Sequence, residues 1–162
     1  MQCQICEITS GKGNVCCDIL RDLPEWFGIP EVVDAYVNEA EKLPMFGAIL
    51  EGSIVAFLSV KRHTLFAAEA YVLGVKRKWH RKGIGRRMFE HVEHQLREQG
   101  IVFLTVKTVA PDRLNEAYVA TRRFYEGLGF LPVEVFPTLW GPESPCLFMI
   151  KNIGPECLAL TS

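Results

Sequence analysis

The sequence lacks the features that would place it in a membrane or attach it to nucleic acid. No apolar run approaches the roughly 20 residues that span a bilayer. The first residues, Met1 to Gln4, have neither the basic start nor the apolar middle of a secretory signal. The 18 Lys and Arg residues nearly balance 19 Asp and Glu residues, which gives a formal net charge of −1 at pH 7. These absences predict a cytoplasmic protein whose partners are neither membranes nor nucleic acids.

The sequence also lacks the cysteine spacings that are typical of zinc sites and of disulfide-rich secreted proteins. The chain has six cysteines, but it is long enough to build a core and has no export signal, so a disulfide framework is the weaker interpretation. Cys3 and Cys6 have the spacing of half a zinc site, yet no second Cys-x-x-Cys and no paired histidine follows at finger spacing. His91 and His94 share one helix face, but no third ligand is suggested. We predict reduced, structural cysteines and no metal.

Three familiar chemical motifs are missing as well. The Gly-x4-Gly-Lys-Ser/Thr loop of nucleoside triphosphatases does not occur. The Rossmann fingerprint needs a third glycine three residues after Gly85, where this chain has Met88. No serine or cysteine stands in a recognisable nucleophile arrangement. Covalent catalysis, nucleotide hydrolysis and dinucleotide binding are therefore disfavoured.

What the chain does have is material for one core. With 162 residues and 49% hydrophobic content, it is long enough for one sizeable core and short for two. Because no repeat, linker or low-complexity tract divides it, we expect a single domain over residues 1–162, with a flexible tail at 154–162.

Hydrophobic periodicity predicts an α/β fold. Runs typical of strands lie at residues 2–9, 46–50, 54–60, 66–76, 101–109, 131–136 and 146–151. Apolar residues at helical spacing lie at 16–23, 30–42, 84–96 and 118–128. The first half is rich in hairpins, and the second half reads β-α-β-α-β.

A basic glycine loop is the most informative segment. An apolar strand ends near Val75, and Gly83 and Gly85 open the following helix. Four cations surround the glycines: Arg81, Lys82, Arg86 and Arg87. Free backbone N–H groups, the positive end of the helix dipole and these cations together suit a phosphate or pyrophosphate. The alternative is that the glycines only make a tight turn.

Two segments resemble a known family. Val75-Lys-Arg-Lys-Trp-His-Arg-Lys-Gly-Ile-Gly85 resembles the acetyl-CoA loop of the GCN5-related N-acetyltransferase (GNAT) family, whose pattern is Gln/Arg-x-x-Gly-x-Gly/Ala. Thr121-Arg-Arg-Phe-Tyr-Glu-Gly-Leu-Gly-Phe130 resembles its Phe-Tyr-x-x-x-Gly-Phe segment, and the element order agrees over 46–150. The chain's end, residues 140–151, looks like a little-characterised bacterial branch. One departure is His80, where Gln or Arg is usual.

The resemblance implies a fold and a co-substrate. The fold would be a mixed, mostly antiparallel sheet of six to seven strands flanked by helices, splayed between the strands at Val72 and Leu104 for the pantetheine. Acetyl-CoA would be the co-substrate. Its contacts would come from Leu73, Gly74, Val75, His80, Arg81, Lys82, Gly83, Ile84, Gly85 and Arg86. Gly74 in mid-strand would mark a bulge, a close ligand approach or a simple kink.

The resemblance also suggests catalytic residues. Tyr125 matches the family tyrosine that protonates the leaving thiolate, although a buried, merely packed tyrosine is the alternative. Glu69 matches the register of a catalytic glutamate. Since an amine with a pKa of about 10 is mostly protonated at neutral pH, this carboxylate would remove the proton, bind the cation, or only form a salt bridge.

The acceptor is less defined. Trp26, Phe27, His63 and Trp140 are candidates for lining its site, with packing or plain exposure as the alternatives. We expect direct attack by a primary amine of a small molecule, peptide or protein in a ternary complex. The alternative function is a non-catalytic acyl-CoA-binding module, and a nucleic-acid-binding domain using residues 76–87 is weaker. Edge strands are compatible with a homodimer.

Overall fold

Seven strands line up in one sheet in the computed structural model, which describes residues 2–111 and 115–155. The order across the sheet is β1-β2-β3-β4-β5-β7-β6. The strands are β1 (Gln4–Ile8), β2 (Met45–Leu50), β3 (Ser53–Arg62), β4 (Ala67–Val75), β5 (Phe103–Val109), β6 (Leu131–Phe136) and β7 (Cys146–Asn152). All seven predicted strands are therefore confirmed, with bounds shifted by a few residues.

Four helices flank the sheet in the described part of the chain. They are α1 (Lys12–Arg21), α2 (Pro30–Ala40), α3 (Ile84–Glu98) and α4 (Glu116–Gly127). Pro30 stands at the first position of α2, where its missing N–H costs no hydrogen bond. Asn115 caps α4, because its Oδ1 accepts from the Ala117 N–H at 3.0 Å. A short 3-10 turn, Arg77–Trp79, was not predicted and leads from β4 toward α3.

The sheet is mixed and mostly antiparallel, as predicted. Among the described strands, only β4 and β5 run parallel, and they pair at just three positions, ending with Glu69 opposite Thr105. Past that point the two strands separate. The predicted splay is therefore present, but its position is corrected on β5, because Leu104 still pairs with Ala68.

The core has two parts, one on each face of the sheet. Phe57 packs with α1 residues such as Ile19, whereas its neighbour Leu58 packs with α3 residues such as Phe89. Successive strand residues point to opposite faces, which places α1 and α2 on one side and α3 on the other. All four of these side chains are fully buried.

The bulge in β4 lies at Tyr71 and not at Gly74. Ser59 pairs with Val72 and Val60 with Ala70, so that Tyr71 has no partner in β3. Gly74 has a packing role instead, since a Cβ there would lie 2.8 Å from Cγ2 of Ile19. Glycine at this position lets α1 approach the sheet.

The far edge of the sheet is apolar. Leu131, Val133 and Val135 of β6 are 66%, 54% and 45% exposed. The expected homodimer through a sheet edge stays a prediction. The expected tail at 154–162 lies outside the described residues except for its first two positions.

The described cysteines are free thiols, and no cluster of three metal-ligating side chains occurs among residues 2–111 and 115–155. None of the helices within these ranges has the length and apolar composition that crossing a bilayer requires.

Candidate active site

A cleft of about 1000 Å³ opens where β4 and β5 separate. Residues 70–75 of β4 line one wall, and residues 107–109 of β5 line the other. The start of α3 and one face of α4 complete the cleft. The sheet thus provides a slot between two of its own strands.

The wall formed by β4 presents unpaired backbone groups. The N–H of Lys76 donates to the Val55 carbonyl at 2.9 Å, toward β3. Because N–H groups alternate along a strand, those of Leu73 and Val75 point to the opposite edge, into the cleft. They are two of the three strand residues, Leu73, Gly74 and Val75, that were predicted to contact acetyl-CoA.

His80 holds the end of this wall in place. Its Nε2 donates to the Val75 carbonyl oxygen at 2.6 Å, and its ring lies 5.9 Å from that of Trp26 in an edge-on contact. His80 lines the cleft, and its contact with acetyl-CoA stays a prediction.

The turn before α3 exposes the first N–H groups of the helix to the cleft. Gly83 is the N-cap residue, with φ of 76°, and no side chain caps it. Arg81 shares this left-handed conformation, with φ of 57°. The first N–H groups of a helix have no partner within it, so Ile84, Gly85 and the following residue present free donors where they line the cleft. These donors and the helix dipole fit a phosphorylated ligand.

Gly85 is explained by packing between helices. A Cβ at Gly85 would lie 2.9 Å from Cζ of Phe124, so glycine is what allows the start of α3 to approach α4. A Cβ added at Gly83 would meet no atom within 4 Å, and the requirement for glycine there is the positive φ alone. Glycine is therefore required at these two positions for different physical reasons.

The predicted cations are not equivalent. Arg81 and Arg86 line the cleft, and Arg86 also donates to the Gly127 carbonyl at 3.1 Å. Lys82 does not line it: its Nζ lies 4.9 Å from the centre of the Trp79 ring. The contact of Lys82 with acetyl-CoA stays a prediction.

Tyr125 reaches the cleft from α4. It is 8% exposed and packs edge-on against Phe89 and Phe130. Its hydroxyl has no hydrogen-bond partner among the described residues. Burial raises the pKa of this hydroxyl far above its ordinary value, so it stays protonated at neutral pH. A neutral hydroxyl facing the cleft can donate a hydrogen bond to a bound group.

Glu69 is buried and bound to two basic side chains. The Nζ of Lys107 lies 3.0 Å from each carboxylate oxygen, and Nε2 of His63 lies 2.7 Å from Oε2. Glu69 is 3% exposed, whereas the His63 side chain is 40% exposed. Sequence reasoning missed Lys107. Its signal was a lysine inside the otherwise apolar strand 101–109, where a charge needs a partner.

A second pocket of about 430 Å³ adjoins the cleft on the α2 face of the sheet. It shares several lining residues with the cleft: Val32, Tyr36, Tyr71, Lys107 and Trp140. Its other lining residues are Glu31, Ala35, Glu69 and Leu139. Glu69 thus lies beside the smaller pocket, and Tyr125 lies in the larger cleft.

The predicted acceptor-site residues separate in the structure. Trp26 and Phe27 line the larger cleft and not the smaller pocket. Trp26 is fixed to α4, since its Nε1 donates to Thr121 Oγ1 at 2.9 Å and its carbonyl accepts from the Tyr118 hydroxyl at 3.0 Å. His63 lines neither space and contacts Glu69 instead. Trp140, by contrast, lines both spaces.

A sequence model of the acetyltransferase (GNAT) domain matches residues 41–132, which is more than half of the chain. The protein therefore belongs to the GNAT family of acetyltransferases, as the two sequence segments predicted. A comparison with curated protein sequences finds no match.

Solved structures share this fold. A protein assigned to the GNAT family from Desulfovibrio desulfuricans has a TM-score of 0.82 at 16% identity, over 94% of this chain and 99% of that one. The aminoglycoside 6′-N-acetyltransferase of Enterococcus faecium has a TM-score of 0.72 at 22% identity, over 95% and 99%. A GNAT acetyltransferase of Elizabethkingia anophelis with acetyl-CoA bound has 0.73 at 15%, over 93% and 97%. These likenesses concern the fold, and the last agrees with the predicted co-substrate.

Proposed function

We propose that this protein transfers an acetyl group from acetyl-CoA to a primary amine by direct attack in a ternary complex. One observation carries the proposal: a single cleft joins the uncapped start of α3, the free edge of β4 and the Tyr125 hydroxyl, and it adjoins a pocket that contains Glu69. Acetyl-CoA bound to a structure of the same fold supports the choice of donor.

The donor would bind along the cleft from phosphate to thioester. Its pyrophosphate would accept hydrogen bonds from the first N–H groups of α3, next to Arg81 and Arg86. Its pantetheine would extend the sheet by pairing with the free edge of β4, between the separated strands. The thioester would then reach the level of Tyr125 and of the smaller pocket.

The reaction would use backbone and side-chain donors in sequence. The amine nitrogen attacks the thioester carbon, a C–N bond forms, the C–S bond breaks and the electron pair stays on sulfur. A backbone N–H of Leu73 or Val75 would stabilise the developing charge on the carbonyl oxygen. The Tyr125 hydroxyl, kept neutral by burial, would donate a hydrogen bond and then its proton to the leaving thiolate, and the tyrosinate would regain a proton from solvent.

The proton of the amine would leave through Glu69. A carboxylate has about four accepting positions, and Lys107 and His63 use three of those on Glu69. The remaining position would accept the amine N–H. Glu69 would take up this proton, directly or through a water, and release it to solvent.

Calorimetric titration of the purified chain with acetyl-CoA, with ATP and NAD as controls, tests the donor. We expect saturable binding of acetyl-CoA alone. No binding would overturn the proposal. An assay of acetyl transfer to a panel of primary amines follows, and binding without transfer to any amine would instead favour the non-catalytic acyl-CoA-binding module.

A further inference from the structure

The walls of the smaller pocket are mostly apolar. Tyr36 and Tyr71 meet edge-on with ring centres 5.6 Å apart, and Trp140 faces the same space. Val32 and Leu139 lie beside them and are 41% and 55% exposed. Trp140 itself is 41% exposed. Apolar side chains that stay this exposed around a concave site gain contact area when a ligand with an apolar body covers them.

The pocket has little charge to offer a polycation. The Glu69 carboxylate is neutralised by Lys107, whose Nζ lies 3.0 Å from both of its oxygens. A further cation, Lys61, sits 5.3 Å from the centre of the Tyr71 ring. The remaining carboxylate of the lining is Glu31, in the first turn of α2 and without an ion-pair partner in the described part of the chain. One uncompensated carboxylate matches one positive charge.

We infer that the acceptor is a small monocationic amine with an aromatic or branched apolar body. This inference rests on the proposed function. The pocket volume of about 430 Å³ suits a small molecule of this kind. The cation would be drawn to Glu31 and the ring faces as it enters, and the apolar body would lie against Trp140 and Tyr71.

An acceptor of this kind would differ from the acceptors of some relatives with the same fold. The fold is shared with an aminoglycoside acetyltransferase, but a fold does not determine a substrate. An aminoglycoside carries several ammonium groups and many hydroxyls. Here it would meet apolar walls and one free carboxylate, which leaves most of its polar groups unpaired.

The test compares four acceptors at saturating acetyl-CoA, with the acetylated product measured by mass spectrometry. The acceptors are 2-phenylethylamine, ethylamine, kanamycin and a tripeptide with an N-terminal alanine. We expect kcat/KM for 2-phenylethylamine to exceed that for each of the others by at least about tenfold.

Two variants make the test specific to the pocket. Trp140→Ala should lower kcat/KM for 2-phenylethylamine about tenfold and change ethylamine turnover far less, because ethylamine has no ring to lose contact. Leu65→Ala removes an apolar side chain that is 72% exposed and lines neither space, and it should leave both rates unchanged.

The outcomes distinguish this inference from the proposed function. Faster acetylation of kanamycin or of the peptide would overturn the inference and leave the acetyltransferase function intact. Acetyl-CoA binding with no acetylation of any of the four amines would also overturn it. If acetyl-CoA does not bind at all, the proposed function fails first.

Discussion

The Nζ atom of Lys107 lies 3.0 Å from both carboxylate oxygens of Glu69, at the point where two parallel strands part. Glu69 is the last β4 residue paired with β5, opposite Thr105, and Lys107 stands two residues further along β5. The ion pair therefore bridges the start of the cleft. Because Glu69 is almost fully buried, removal of Lys107 would leave a carboxylate in the protein interior without its ion pair.

The first prediction concerns the stability that this pair provides. Lys107→Met should lower the free energy of unfolding by about 3 kcal/mol, because it leaves a buried carboxylate without its main partner. The combined Lys107→Met and Glu69→Gln variant should lose less than the sum of the two single changes. Urea denaturation measures all three.

A matched control lies on the same face of the sheet. Lys61 Nζ is 3.6 Å from Glu39 Oε1, and both side chains are about a third exposed. Lys61→Met should therefore cost less than about 1 kcal/mol. Equal losses of stability for Lys61→Met and Lys107→Met would show that the Lys107–Glu69 pair stabilises the protein no more than a partly exposed ion pair does.

The second prediction concerns Tyr125. Tyr125→Phe keeps the ring that packs on Phe89 and removes the donor that faces the cleft. We expect kcat to fall about 100-fold, with the calorimetric Kd for acetyl-CoA nearly unchanged, because in the proposed mechanism the hydroxyl acts on the leaving thiolate and not on the bound acetyl-CoA.

Tyr118→Phe is the control for that change. Tyr118 lies on the same helix and its hydroxyl donates to the Trp26 carbonyl at 3.0 Å, so its loss should cost stability and leave kcat within a few-fold. If Tyr125→Phe turns over acetyl-CoA as fast as the unmodified enzyme, Tyr125 has no part in the chemistry.

Local signals in the sequence were enough for the fold and for the uncapped start of α3. Period-two and helical patterns predicted every strand and the four helices, and the spacing of Gly83 before an amphipathic helix predicted the uncapped helix start. Such signals work because each depends on residues close together in the chain.

Relationships across the fold were not predictable in the same way. That Glu69 meets Lys107 depends on which strands become neighbours, 38 positions apart. That Gly85 leaves room for Phe124 depends on how α3 and α4 pack. The position of His80 suggested a ligand contact, and only the folded turn directs its ring onto the Val75 carbonyl.

The third prediction compares two glycines in the same conformation. Gly83 and Gly100 have φ of 76° and 82°, and a Cβ at either would meet nothing within 4 Å. Alanine should thus cost each site about 1 kcal/mol of backbone strain. Only Gly83→Ala should weaken acetyl-CoA binding, by about tenfold, because it disturbs the turn whose N–H groups face the cleft.

Calorimetry on both variants checks this, together with thermal unfolding to show that the strain is similar. A similar loss of affinity in Gly100→Ala, at the opposite end of α3, would mean that the effect comes from general destabilisation. The turn at Gly83 would then not be the phosphate site.

The last prediction is a pH dependence of stability. Cys16 of α1 is fully buried, and burial, with a smaller contribution from Cys17, raises its pKa from 9.0 to about 12. Burial likewise raises the pKa of Cys146 from 9.0 to about 11. Above pH 9 the unfolded chain releases these protons while the folded chain keeps them, so stability is complete below pH 9 and falls as the pH rises.

Each thiol should contribute a slope of about 1.4 kcal/mol per pH unit once the unfolded state is ionised. Cys16→Ala should therefore be less stable than the unmodified chain at pH 7, through lost packing, yet lose stability less steeply between pH 9 and pH 10. Urea unfolding at four pH values measures both slopes. The raised pKa values of Tyr36, Tyr71, Tyr118 and Tyr125 also add to the slope near pH 10, but these tyrosines are present in both proteins, so the difference between the two slopes belongs to Cys16. Parallel curves for the two proteins would show that Cys16 ionises as easily in the folded chain as in the unfolded one, which its complete burial argues against.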